Sequence, residues 1–103
     1  MTKGQLYSGL KATFNIPIAY HHFDNPPTIP FIAYIDVKKD RFKADNIVYY
    51  KDAKYRIEIY YENTDGTIEE QMENFLDSIE TVWEDEEPIY IQEEKLYLKT
   101  YYI

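Results

Sequence analysis

The sequence predicts an α+β domain: one mostly antiparallel sheet carrying two helices, in the order α-β-β-β-α-β-β. Three observations carry this. Tyr55, Ile57, Ile59 and Tyr61 alternate with Arg56, Glu58 and Tyr60, a period of two over the second half of a long β-favouring run, Ile47 to Tyr61. Ile68, Met72, Phe75, Leu76 and Ile79 recur at helical spacing. Strand patterns and helix patterns do not alternate regularly, which favours α+β over a parallel βαβ sheet. At 103 residues the chain is expected to be a single domain, 1–103.

The first helix is opened by Thr2 with Gln5 three residues on, a capping-box spacing, and carries Leu6, Tyr7, Leu10 and Phe14 as its apolar stripe. Gly9 weakens it by about 1 kcal/mol relative to alanine, so packing must hold it. Pro17 pushes Ile16 out of helical geometry, and Ile18-Ala19-Tyr20 reads as a short strand or extended arm. His21, His22 and Asp24 invite a metal reading, but neighbouring histidines diverge in an extended chain and no further His or Cys completes a shell. They are expected to be solvated loop residues. Asn25 to Pro30 is a stiff, proline-rich connector.

Phe31 to Val37 is the second strand. Phe31, Ala33, Ile35 and Val37 define one face, and Ile32 with Tyr34 makes the other apolar too, so cover is expected on both sides. Lys38 to Lys43 is a basic loop or strand extension, and Ala44-Asp45-Asn46 a turn. The run from Ile47 follows as the central strand, antiparallel to the second, with Lys51-Asp52-Ala53 marking a bulge or second turn. Beyond Asn63 to Gly66, Thr67 with Glu70 suggests another capping box. The helix from Ile68 to Ile79 is expected to show an acidic outer face of Glu69, Glu73, Asp77 and Glu80. Val82 and Trp83 are expected to pack at its end. Glu84 to Glu87 and Pro88 read as its termination, and Ile89 to Ile103 as a closing hairpin with a loop longer than two residues.

Composition bounds function. Twelve tyrosines suit half-buried strands and surfaces that become buried on association. No cysteine is present, which excludes thiolate chemistry and fits a reducing compartment. No apolar run approaches a membrane span, and the N-terminus lacks a signal-peptide core, so a soluble chain, intracellular at synthesis, is expected. The net charge of −8 disfavours non-specific nucleic-acid binding. Seven of the eleven basic residues lie between Lys38 and Arg56, whereas Ile57 to Glu94 holds fourteen of the nineteen acids and no Lys or Arg. Two readings stay open: attraction between unlike patches of neighbouring copies, or charge pairing within one chain.

Catalytic sets are not apparent. The three glycines are scattered, the two serines fall on predicted helices away from the histidines, and the carboxylate pairs read as solvated faces. Glu84 to Glu87 lacks the spacing of a calcium loop. The expectation is a structural or binding protein, not an enzyme, with no cofactor and no metal.

Three stretches resemble small tail terminator or tail-completion proteins, also labelled minor capsid or head-tail joining proteins, of long-tailed phages and prophages of Gram-positive bacteria. They are Ile16-Pro17-Ile18-Ala19-Tyr20 running through His22-Phe23 and Pro26-Pro27 to Pro30-Phe31-Ile32-Ala33-Tyr34, then Ala44 to Tyr49 with Tyr55 to Tyr60, and finally Tyr90 to Tyr97. The likeness spans nearly the whole chain through structural motifs; Glu84 to Glu87 departs from it, where a glycine-containing turn is expected. The resemblance implies a homo-oligomeric ring, commonly of six copies, that caps the tail tube, docks on the head connector protein and lets DNA pass through its lumen. It implies synthesis in the host cytoplasm and a final place at the virion's head-tail junction. Candidate interface residues are Lys38, Lys39, Arg41 and Lys43 on the basic segment, Arg56, Glu58 and Tyr60 on the central strand, Glu73, Asp77 and Glu80 on the helix, and Glu84, Asp85, Glu86 and Glu87. The alternative is an acidic DNA mimic that inhibits a nucleic-acid enzyme.

Overall fold

The computed structural model describes residues 1–25, 27–37 and 53–103. The elements are α1 (Lys3–Thr13), β1 (Ile18–Tyr20), β2 (Phe31–Asp36), β3 (Tyr55–Tyr61), α2 (Thr67–Ser78), β4 (Glu84–Ile91) and β5 (Leu96–Tyr102). The class and element order match the sequence expectation. The readings at Pro26, in the 38–43 segment, at the 44–46 turn, in the first half of the central run and at Lys51 and Asp52 lie outside the described residues.

The strands form one sheet in the order β1-β2-β3-β5-β4. β1 lies parallel to β2, and every other neighbouring pair is antiparallel. β3 is central, and its alternation is reproduced residue by residue: Tyr55, Ile57, Ile59 and Tyr61 are buried, with Arg56, Glu58 and Tyr60 half-buried on the other face. Both helices cover the first face. Leu6, Leu10 and Phe14 from α1, and Met72, Phe75 and Leu76 from α2, pack with Ile18, Ile32, Tyr34, Ile57, Ile59 and Tyr101 into one core. Gly9 lets the helices approach, because a Cβ there would lie 2.7 Å from Phe75 Cζ.

Among the local expectations, two-sided cover of β2 and the first capping box hold, and others are corrected. Ile32 and Tyr34 face the helices, whereas Phe31, Ala33 and Ile35 are buried on the opposite face, so both sides of β2 are covered. The Thr2–Gln5 capping box is present in both directions. The second one is not: Gly66, at φ 85°, is the N-cap, and the Asp65 carboxylate accepts from the Thr67 N–H at 2.9 Å. Asp65 takes the capping role one residue outside the helix because Gly66 supplies the left-handed turn that a side-chain-bearing residue resists. Glu84 to Glu87 and Pro88 do not terminate the helix; they form the first part of β4. That strand is the sheet edge, where charge and a missing N–H are tolerated, and its register shifts between Glu86 and Ile89 around Pro88. Trp83 packs on Tyr101 as expected, with ring centroids 5.7 Å apart, but Val82 is 86% exposed. The hairpin turn from Gln92 to Lys95 is longer than two residues, and Lys95 closes it at φ 56°.

Candidate functional site

The candidate interface residues fall into groups that the strand register separates. Lys38, Lys39, Arg41 and Lys43 lie outside the described residues. Arg56, Glu58 and Tyr60 share the face away from the helices and are joined to one another. Arg56 Nε lies 3.2 Å from Glu58 Oε2, an ion-pair distance off hydrogen-bond alignment, and the Tyr60 hydroxyl donates to Glu58 Oε1 at 3.2 Å. The Tyr60 ring stacks on Phe31 at 4.7 Å. Burial, then the Glu58 charge, pushes the Tyr60 hydroxyl up to about 12.

The acidic face expected of α2 is largely committed within the chain. The Tyr101 hydroxyl donates to Glu73 Oε2 at 2.8 Å, and the Trp83 indole N–H to Asp77 Oδ1 at 2.9 Å. Glu69 accepts from Tyr61, whose hydroxyl is pushed up by burial and then by that bond. Three of the four acids read as an outward face therefore satisfy aromatic donors, and only Glu80, just past the helix at φ 56°, stands clear of this pattern. A sequence signal existed: Tyr61, Trp83 and Tyr101 each need a partner for a polar atom when buried.

On β4, Asp85 and Glu86 are engaged by β5. Lys99, only 5% exposed, donates from Nζ to Asp85 Oδ2 at 2.6 Å and to the Glu86 carbonyl at 2.7 Å, and the Tyr102 hydroxyl donates to Glu86 Oε1 at 3.0 Å. Glu84 and Glu87 are exposed, as are Ile89 and Tyr90 further along the same edge. Register places Glu84 beside Tyr102 and thus in line with Arg56, while Asp85 points with Tyr101 toward the helix side.

The loop pair is close-set, with His21 Nδ1 and His22 Nδ1 3.0 Å apart and His22 Nε2 3.3 Å from Asp24. Among the described residues, no group of three or more His, Cys, Asp or Glu side chains is placed to hold a metal ion. Ser78 donates its hydroxyl to the Phe75 carbonyl at 2.6 Å.

What sequence reasoning missed is a polarity along the strands. β1 and β2 begin, and β3 ends, at the same end of the sheet, which also holds the start of α2 and the β4–β5 turn. Glu62, Asp65, Glu69, Glu70, Glu93 and Glu94 gather there, opposed by Lys95 and by Lys11 in the last turn of α1. Asp65 stays ionised to unusually low pH because the Thr67 backbone N–H bonds its carboxylate. The other end carries Val37 and Lys54, joined by a hydrogen bond of 2.8 Å, and so is where the basic segment of the sequence joins β2 and β3. At the acidic end a groove of about 370 Å³ opens between the end of α1, the proline connector and the start of α2. No family model, curated protein or solved structure matches the chain.

Proposed function

We propose that the chain is a tail terminator or tail-completion protein of a long-tailed phage or prophage, a structural component that assembles head-to-tail into a ring at the tail-head junction. The single observation that carries the reading is the opposition of the two sheet ends. Six acids gather where β3 stops, and the basic segment joins the sheet where β3 starts, beside Glu84 and Asp85 at the head of the edge strand β4. Two unlike patches at opposite ends of one protomer make a heterologous contact, and such contacts close into rings when the rotation allows. Charge at both patches speeds encounter and fixes orientation. The resemblance across nearly the whole chain supplies the biological setting: tail tube protein on one side, head connector protein on the other, host cytoplasm first and virion junction later. Acids such as Glu84 and Glu87, exposed on the outer strand, suit a lumen from which DNA is repelled as it passes.

The DNA-mimic reading has less to stand on. It needs outward carboxylates spaced along α2 and through the Glu84–Glu87 tract, where Glu73, Asp77, Asp85 and Glu86 are engaged by Tyr101, Trp83, Lys99 and Tyr102, leaving Glu84 and Glu87 exposed. Electron microscopy of lysates from a phage lacking the protein tests the proposal. Abnormally long or unjoined tails are the expected result; normal, infectious virions would overturn it.

A further inference from the structure

We infer that the groove at the acidic end receives Phe42 of a second copy, with Arg41 and Lys43 on either side pairing with the carboxylates at its mouth; this rests on the ring reading and names the contact that closes it. The groove's floor is apolar, built from Phe14, Ile16, Pro30, Tyr61 and Ile68, and its size suits a bulky side chain. Its rim carries Glu62 and Asp65, and among the described residues no Lys or Arg lines it. The complement of such a site is an aromatic residue flanked by cations. The chain contains that pattern in Lys38-Lys39-Asp40-Arg41-Phe42-Lys43, the only place where a Phe has a basic residue on each side.

Chain length makes the contact one between copies. β2 leaves the sheet heading away from the groove, and β3 alone, seven residues long, spans roughly 20 Å between the two ends. Five residues lead from Val37 to Phe42 and cover at most about 18 Å when fully extended. A return to its own groove would also spend residues on a reversal of direction. The pattern therefore reaches a neighbour's groove, not its own, and the contact is head-to-tail by construction.

The test uses the full chain and a fluorescent peptide of residues 38–44. Anisotropy titration should show saturable binding that weakens with added salt. Replacing Phe42 by alanine in the peptide should weaken it at least about tenfold, as for a buried aromatic anchor. Glu62→Lys, an exposed substitution that leaves the core alone, should weaken the unaltered peptide several-fold, and NMR shifts should map to Ile16 and Ile68. Equal binding by the alanine peptide, no binding at low-millimolar concentration, or shifts confined to another surface would each overturn the inference. In the full chain, a Phe42→Ala variant that assembles as well as the parent would sink the groove contact and leave the ring reading standing. Peptide binding in the groove with normal tails in the knockout lysate would do the reverse.

Discussion

Gly9 and Gly4 lie on the same helix, and replacing each by alanine should move stability in opposite directions. Alanine is worth about 1 kcal/mol over glycine in a helix interior. At Gly4, in the first turn of α1, a Cβ meets only Thr2 Oγ1, at 3.9 Å, so part of that gain should appear with no packing penalty. At Gly9 the Cβ would sit 2.7 and 2.8 Å from Phe75 Cζ and Cε1, where carbon atoms prefer about 3.5–4.0 Å. Phe75 is 7% exposed and belongs to the main core, so its ring has little room to withdraw. Forcing atoms into a packed core costs about 1–3 kcal/mol. Set against the helix gain, Gly9→Ala should destabilise by about 1 kcal/mol, or roughly 4–8 °C in Tm for a domain of this size. Chemical denaturation of both variants, followed by far-UV circular dichroism, gives the comparison. Adding Phe75→Leu should make the Gly9→Ala penalty vanish, a coupling expected only of residues in contact. If Gly9→Ala stabilises as much as Gly4→Ala, the packing of α1 on α2 is not as described.

Two further predictions concern pH and capping. Tyr60, Tyr61 and Tyr101 have hydroxyls raised above their ordinary value near 10, mainly by burial and then by Glu58, Glu69 and Glu73. A raised folded pKa contributes stability that is fully present below the unfolded value, so stability should hold to about pH 10 and fall as pH rises beyond it. For Tyr60 the window runs from about 10 to about 12. Tyr60→Phe should flatten the decline there by about 1.4 kcal/mol per pH unit in urea titrations, and an unchanged slope would refute the assignment. Asp65→Ala should lower Tm by removing the bond to the Thr67 N–H, whereas Thr67→Ala should change it little. The reverse ranking would restore the Thr67–Glu70 capping box that the geometry replaces.

The parts legible in the sequence were those where one periodicity dominated. β3 alternated because one face meets two helices, and α2 showed its stripe because Met72, Phe75 and Leu76 meet the sheet. β2 was ambiguous because it is buried on both faces, which erases alternation. β4 was half-missed because four acids and a proline have low strand propensity; only its edge position admits them, and edge position is a property of topology. The acid stripe on α2 does lie outward, with Asp77 and Glu80 exposed and Glu69 and Glu73 half-buried, but its partners were not legible. Helical spacing places Glu73 and Asp77 away from the apolar stripe, but Tyr101 reaches Glu73 from a strand far along the chain and Trp83 folds back on Asp77 from just past the helix. The groove left no trace in the sequence, since four separate segments build it.

Charge segregation was visible, but its geometric meaning required the register that puts Glu62, Asp65, Glu93 and Glu94 at one end. That polarity is the centre of the account, and native mass spectrometry of a mixture tests it most directly. One variant carries Glu62→Lys and Glu93→Lys at the acidic end; the other carries Lys39→Gln and Arg41→Gln in the basic segment, so that the two altered patches do not attract each other. Each retains one sound patch of the head-to-tail contact. Neither should assemble alone, and together they should give a heterodimer that grows no further, while the parent chain proceeds to rings. Either variant assembling alone like the parent, or a mixture that stays monomeric under conditions where the parent forms rings, would contradict the account.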